Sequence, residues 1–571
     1  MEFNLADLFE RAAGEYPERE AIVANGERRT YALLEERANR LAHHLRDAGV
    51  QPGDHVAVYA YNIIEWPEAM LAIYKIRAVC INVNFRYVAD ELAYLLDQAK
   101  PVALVFQRQF TDRVAEVAPK VTSLRHLLVV EDDSEPGEQA TTAEALGAVR
   151  YEDAMAAGSP ERDFGPRSAD DLYLLFTGGT TGLPKGVVWR QEDVIFALGG
   201  GIDPTNGNRI SQPEEMVEKG RNGQLTTFPI APLMHGATQW GVLQNLAKGH
   251  RVVLIDKFDA HSVWETVVAE RINVILITGD AMARPLLESL DAPRDGRAAY
   301  DLSALFALSS SAALFSPSLK EEFMERLGIV VSDAIGASES GANGVGIAVK
   351  GQTEQQSGIT VKAVPDSVVL DEDLNPLPAG VVGRLGRKGN IPLGYLGDPV
   401  KTAEVFRTGP DGTRYVVPGD YARLEGDGRI TLLGRGSATI NSGGEKIFTE
   451  EVEGAVKAHP EVYDAIVVGV PHPRWGQTVA VVVQPREGRT PSLSAIQEHC
   501  RTKIAGYKVP RVMRIVDHTQ RTPTGKPDLQ WALAIASAPE STPATETESE
   551  TGAGTGSGTG TGSGAGTGSG V

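Results

Sequence analysis

At 571 residues the chain is too long for one hydrophobic core, so two or more domains are expected. Its composition, 42% hydrophobic and 23% charged, is that of a globular protein. A formal net charge of -20 argues against nucleic acid or an anionic membrane as a partner.

The N-terminus, MEFNLAD, lacks the basic region and apolar stretch of a signal peptide. No uninterrupted apolar run approaches the ~20 residues of a membrane span. Only two cysteines, Cys80 and Cys500, lie far apart in sequence, which fits a reducing compartment. A soluble, cytoplasmic protein is expected.

From residue 1 to 170, helical and strand patterns alternate. Residues 32–48 place Leu33, Leu34, Ala38, Leu41, Ala42 and Leu45 on one helical stripe. Residues 55–60 read as strand, 66–77 as helix and 79–83 as strand, and 101–106 and 127–130 are short apolar runs. This rhythm predicts a mostly parallel sheet covered by helices.

Next comes the stretch LLFTGGTTGLPKGVVW, residues 174–189. Glycines let backbone N–H groups approach an anion, and a lysine neutralises it, so Gly178, Gly179, Thr180, Thr181, Gly182 and Lys185 predict a phosphate-binding loop. It is not a Walker loop. Lys185 follows a proline and leads into Val187-Val188-Trp189, which reads as a strand, so no helix N-terminus backs the anion.

Further on, 252–255, 262–271 and 274–277 continue the strand–helix–strand pattern. Between 368 and 433 the chain turns β-rich, with Asp411-Gly412 and Asp427-Gly428 as hairpin signals. A compact final segment reads as helix 449–458, strands 465–470 and 479–484, helix 493–504 and strand 512–516. After 537 the chain becomes a Pro/Glu/Thr/Ser and then Gly/Thr/Ser tract without apolar side chains to build a core, so 538–571 is expected to be a disordered tail.

Four other stretches accompany the loop: APLMHGAT with His235, DAIGASESG with Glu339, PGDYARL…GRGSATINSGGEKI with Asp420 and Arg435, and RTPTGKPD with Lys526. Taken singly each has a plain structural explanation: a packed histidine, a helix cap, a turn aspartate, a solvated lysine. In this order along one chain they resemble the adenylate-forming superfamily of acyl-CoA synthetases, luciferases and peptide-synthetase adenylation domains, from about residue 5 to 531. In finer detail INVNFRYVADELAYLL, SPERDFG, TGDAMARPL and INSGGEK…IAGYKVPR are similar to actinobacterial acyl-CoA ligases of the steroid side-chain type, as is an insertion at 199–224.

The resemblance implies an α/β protein with a large N-terminal multi-layer domain, 1–433, whose distal part is β-rich. A small mobile C-terminal α+β domain, 436–537, follows. It implies ATP, Mg²⁺ and coenzyme A as cofactor and co-substrates. Thr177 and Glu339 would hold Mg²⁺; Ser311, Ala312, Ala313, Gly336 and Ser338 would line the adenine site; Asp420 and Arg435 would hold the ribose. Lys526 would bridge the attacking carboxylate and the α-phosphate. His235 would line the acyl and CoA side and swing during the reaction, and Gly443 and Gly444 would border the thiol's approach.

A departure lies at the hinge, where Ser437 stands in place of the family's Asp or Lys, leaving Gly436 or Ser437 as the pivot. No carboxylate in FPIAPLMHGATQWG would pair with a substrate amine, which favours an uncharged acyl group over an amino acid. The expected activity is conversion of a carboxylic acid, ATP and CoA into acyl-CoA, AMP and pyrophosphate through an acyl-adenylate, on a sterol-derived side-chain acid. A medium- or long-chain fatty acid, or transfer of the acyl group to another acceptor, is the alternative. A regulatory nucleotide binder without turnover would lack Lys526 or Glu339, and both are present. The sequence leaves the oligomeric state open, a homodimer being one form it allows.

Overall fold

The structure is a computed structural model that describes residues 2–132, 134, 142–177, 184–203, 206–291, 300–311, 313, 315–348, 359–442, 445–522 and 526–538. Residues 1–536 form one compact unit, and the tail expected at 538–571 lies almost wholly outside the described residues.

The largest sheet is parallel in one half and antiparallel in the other. Strands Glu20–Ala24, Arg251–Leu254, Thr226–Pro229, Val274–Ile277, Ala307–Ser311 and Val330–Ala337 run parallel. Their apolar runs, such as Val274-Ile-Leu-Ile277, suit strands covered on both faces. From Gly341–Ala348 onward the pairing is antiparallel, through Ile359–Ala363, Arg429–Arg435 and Asp420–Leu424. The change of direction falls at the turn that carries Glu339.

The parallel sheet expected in the first 170 residues is present as five strands centred on His55–Tyr59 and Ala103–Gln107. Glu20–Ala24 does not belong to it and joins the large sheet instead. Helix Tyr31–Asp47 starts where the Thr30 side chain accepts from Leu33 N at 3.1 Å. It buries Leu34, Ala38, Leu41, Ala42 and Leu45, but Leu33 is 39% exposed. At 100° per residue Leu33 lies one position off the stripe, which corrects the reading of that helix.

Both β-rich hairpins form, Phe406–Thr408 with Arg414–Val416 and Asp420–Leu424 with Arg429–Arg435. The C-terminal domain is a five-stranded sheet dominated by the pair Val462–His472 and Gly476–Pro485, packed by helices Thr449–Lys457 and Leu493–Arg501. Sequence reading missed its short strands Ile440–Ser442 and Glu445–Ile447 and the helix Leu529–Ser537. Three residues are too few to show a period.

An ionic contact joins this domain to the large one. The buried Lys457 ammonium lies 3.0 Å from Asp464 and 3.9 Å from Asp280, which caps the large domain's Ser316 N at 2.7 Å. Nearby, the Arg284 guanidinium stacks on the Tyr463 ring at 4.8 Å. Lys457 and Arg521 hold the Asp464 carboxyl below its usual range despite burial. Removing one partner of a buried pair leaves the other uncompensated, at about 3 kcal/mol. Lys457→Met should therefore lower the urea midpoint visibly. An unchanged midpoint would show that Arg521 alone satisfies Asp464.

Candidate active site

A cavity of about 890 Å³ opens where the parallel strands end. Pro229, Leu276 to Thr278, Ser309 to Ser311 and Ala334 to Glu339 line it, each group at the C-terminal end of its strand. Open α/β sheets bind ligands at that end, because the loops there are free to vary while the sheet holds them in place.

The phosphate-loop stretch is a β-hairpin. Strands Leu172–Thr177 and Lys185–Arg190 pair antiparallel with Thr177 opposite Lys185, and both residues line the cavity. Gly178, Gly179, Thr180, Thr181 and Gly182 lie outside the described residues, as do Ala312, Gly443 and Gly444. A third strand, Gly394–Tyr395, adds to Lys185–Arg190 and sets Tyr395 beside Val187. The Lys185 ammonium then lies 5.5 Å from the Tyr395 ring and 3.7 Å from the Asp398 carboxylate.

Glu339 sits on the turn between Val330–Ala337 and Gly341–Ala348, and three residues to which the sequence assigned no role hold it. The buried Trp189 indole donates to Ser338 O at 3.1 Å. Arg387, 1% exposed, donates to Ser340 O at 3.2 Å and to Ala342 O. Tyr395 OH donates to Glu339 Oε1 at 2.9 Å. Gly341 has φ +69, and a Cβ there would meet Ala197 Cβ at 2.8 Å, so only glycine closes this turn. Trp189 was in plain view inside the quoted loop, but nothing in the sequence shows an indole reaching a carbonyl 149 residues away.

A fourth anchor, buried Asn82, joins the two halves of the site. Its side chain pairs with Phe176 through N and O at 2.8 and 2.9 Å and donates to Met234 O at 2.7 Å. Thr177 and His235, the next residues, are thereby fixed relative to each other. Asn62 holds the same segment through Leu233 N and Ala231 O.

His235 N-caps helix Gly236–Ala247 with its backbone, and its buried Nε2 has no hydrogen-bond partner among the described residues. Burial, reinforced by the Arg86 and Lys526 charges, pushes its imidazole down to about 4. It is neutral near pH 7 and fit to orient a neighbour rather than to carry charge.

Lys526 reaches the same cavity from the C-terminal domain, where Thr522 N donates to its carbonyl at 2.7 Å. Ser311, Gly336 and Ser338 also line the cavity. Among the residues whose side chains are described, His235 and Asp420 do not line it, but each adjoins a residue that does, namely Gly236 and Gly419; Arg435 immediately precedes the lining residue Gly436. Asp420 and Arg435 are cross-strand partners at the open end of their hairpin. Ala313 lies just past the lining, its N–H on Ser311 O at 2.9 Å.

Among the described residues the charged lining is Lys185, Arg384, Arg387, Lys401 and Lys526 against one carboxylate, Glu339. A molecule of charge -20 thus carries a cationic cavity suited to a polyanion. No group of three or more His, Cys, Asp or Glu side chains is placed to hold a metal ion among the described residues. Thr177 and Glu339 supply two hard oxygen donors of the kind a Mg²⁺ ion takes.

Two changes test this arrangement. Tyr395→Phe keeps the ring against Lys185 but removes the hydrogen bond to Glu339, and acid-dependent pyrophosphate release should fall roughly ten-fold; an unchanged rate would show that Glu339 does not need this partner. For His235, the depressed value means that the neutral form persists to about pH 4. The stability it contributes is full above about pH 6.5 and is lost as pH falls toward 4. In protein labelled at histidine ¹³Cε1, the resonance missing in His235→Asn should titrate near 4, and a midpoint near 6.5 would refute its burial.

No helix among the described residues is long and apolar enough to cross a membrane. Residues 9–396 match the AMP-binding enzyme family and 451–526 the AMP-binding enzyme C-terminal domain. A 3-oxocholest-4-en-26-oate–CoA ligase of Rhodococcus rhodochrous is 51% identical over 538 residues, covering 93% of this chain and 96% of that one. A medium/long-chain-fatty-acid–CoA/3-oxocholest-4-en-26-oate–CoA ligase of Mycolicibacterium smegmatis is 50% identical over 536 residues, with 93% and 96% covered. Among solved structures, an anthranilate CoA ligase in complex with anthranoyl-AMP superposes with a TM-score of 0.79 at 20% identity, over 94% of this chain and 97% of that one. The strand-end cavity, its cationic lining and the match across both domains lead to one conclusion: the chain belongs to the AMP-binding enzyme family.

Proposed function

We propose that this protein is an ATP-dependent acyl-CoA ligase whose acid is a steroid side-chain carboxylate. The observation that carries the reading is one cavity with Lys185, Glu339 and Lys526 on its wall and an apolar stretch formed by Phe196, Leu198, Trp240 and Leu276. The names of the relatives above support it, and they also support medium- and long-chain fatty acids as a second substrate class.

In the first half-reaction a carboxylate oxygen bonds to the α-phosphorus of ATP, and the bond to the β-phosphate oxygen breaks. Two anions have to meet, so preplaced positive charge lowers the barrier most. Lys526 holds the attacking carboxylate against the α-phosphate. Lys185 and the N–H groups of the hairpin loop take the outer phosphates. Asp420 and Arg435 bind the ribose, while Ser311, Gly336 and Ser338 frame the base. Thr177 and Glu339 would hold Mg²⁺, which would neutralise phosphate charge there. Neutral His235 can lie beside the acyl group without trapping its carboxylate in an ion pair.

In the second half-reaction the thiol of CoA attacks the acyl carbon, AMP leaves and the thiol proton is lost. Charge on Lys526 is no longer needed there, and the C-terminal domain turns about Gly436-Ser437. That domain extends over residues 436–537, with 1–433 as the other body.

Lys526→Ala separates the two steps. With acid and ATP it should lose about 10²–10³ in rate. With supplied acyl-AMP it should form thioester at a near-normal rate. Equal damage to both steps would sink the two-conformation account. A panel of sterol side-chain acids, fatty acids and amino acids, scored by CoA thioester, tests the substrate. Fastest turnover of an amino acid would overturn that part.

A further inference from the structure

One part of the cavity lies away from the phosphate-binding residues and carries its own polar group. Helix Gly236–Ala247 begins at His235, and Ala237, Trp240, Gly241 and Gln244 form its cavity-facing stripe. At 1.5 Å per residue, the nine steps from His235 to Gln244 span roughly 14 Å of helix axis.

The Lys248 ammonium donates to Gln244 Oε1 at 3.2 Å. A lysine ammonium has donors only, so it selects the amide oxygen and turns Nε2 the other way. No acceptor for Gln244 Nε2 occurs among the described residues, while Gln244 itself lines the cavity.

The pair is built in. Gly200, with φ +81, brings the start of the 199–224 insertion against it, and a Cβ there would stand 3.1 Å from Lys248 Nζ and 3.3 Å from Gln244 Oε1. Lys219, from the same insertion, donates to Gly200 O at 2.8 Å. Burial and the neighbouring Lys219 charge push the Lys248 ammonium down to about 8, against the attraction of Asp203. A cation behind the amide oxygen polarises the amide and strengthens its N–H donors.

We propose that Gln244 Nε2 recognises a ketone oxygen at the end of the acid remote from the carboxyl, with Lys248 as the positioning residue behind it. The proposal rests on the steroid side-chain acid reading above. A rigid ring system can place an oxygen at a set distance from its carboxylate. A saturated fatty acyl chain offers that position no acceptor and gains nothing from the amide.

The test compares a 3-oxo sterol side-chain acid with its 3-deoxo analogue in the wild type, Gln244→Leu and Gln244→Met, reading the ratio of their kcat/KM values. A net hydrogen bond predicts a preference for the ketone of about ten-fold in the wild type, carried mostly by KM, and a ratio near one in both variants. Lys248→Met should lower the ratio part of the way, since the amide is then free to turn. Melting temperatures and turnover of a long-chain fatty acid establish that each variant is folded. If steroid acids are turned over but the ratio is the same in wild type and variants, Gln244 is not the reader and the proposal falls alone. If fatty acids are thioesterified and no steroid acid is, the substrate reading falls and takes the proposal with it.

Discussion

The site depends on how three main-chain carbonyls around Glu339 are held by donors from distant segments. A turn between a parallel and an antiparallel strand has carbonyls that the sheet ladder does not use. Trp189 takes that of Ser338, and Arg387 takes those of Ser340 and Ala342. Arg387 is buried, has no hydrogen-bonded carboxylate among the described residues, and burial pushes its guanidinium down to about 10. Its planar fork can meet two carbonyls at once, which a lysine ammonium on a flexible stem cannot match. The chain places a desolvated cation under the one carboxylate that lines the cavity among the described residues, and the Glu339 side chain inherits that rigidity.

A second constraint works between the N-terminal five-stranded sheet and the three-stranded sheet that carries Thr177 and Lys185. Asn82, at the end of a parallel strand, bonds both the strand that leads into the phosphate loop and the segment that leads into His235. Thr177 and His235, which follow those two segments, therefore share a rigid frame and need no ligand to be aligned. Lys526 is different, because its frame is the C-terminal domain, joined to the rest through contacts such as Lys457 with Asp280.

What could be read from the sequence follows from how local each signal is. The loop between Thr177 and Lys185 was legible as a hairpin because apolar strand patterns flank it within a few residues. The pairing of Asp420 with Arg435 was legible because a turn signal, Asp427-Gly428, lies between them. Trp189, Arg387, Tyr395 and Asn82 were not, since each acts through hydrogen bonds to residues 45 to 152 positions away. Local patterning carries no trace of such pairings. Leu33 was misplaced for a smaller reason: a helical stripe has soft edges, and hydrophobicity alone does not say which edge faces water.

The cationic cavity inside an acidic molecule has a kinetic consequence. From a distance, ATP and CoA meet a body of charge -20 and are repelled by it. Within roughly 8 Å, about a Debye length at physiological ionic strength, the lysines and arginines of the cavity take over. Capture of both polyanions is then slowed by a long-range barrier and rewarded only at short range. Salt acts in opposite directions on the two parts, speeding the approach while loosening the grip, so the rate of nucleotide entry should pass through a maximum as ionic strength rises.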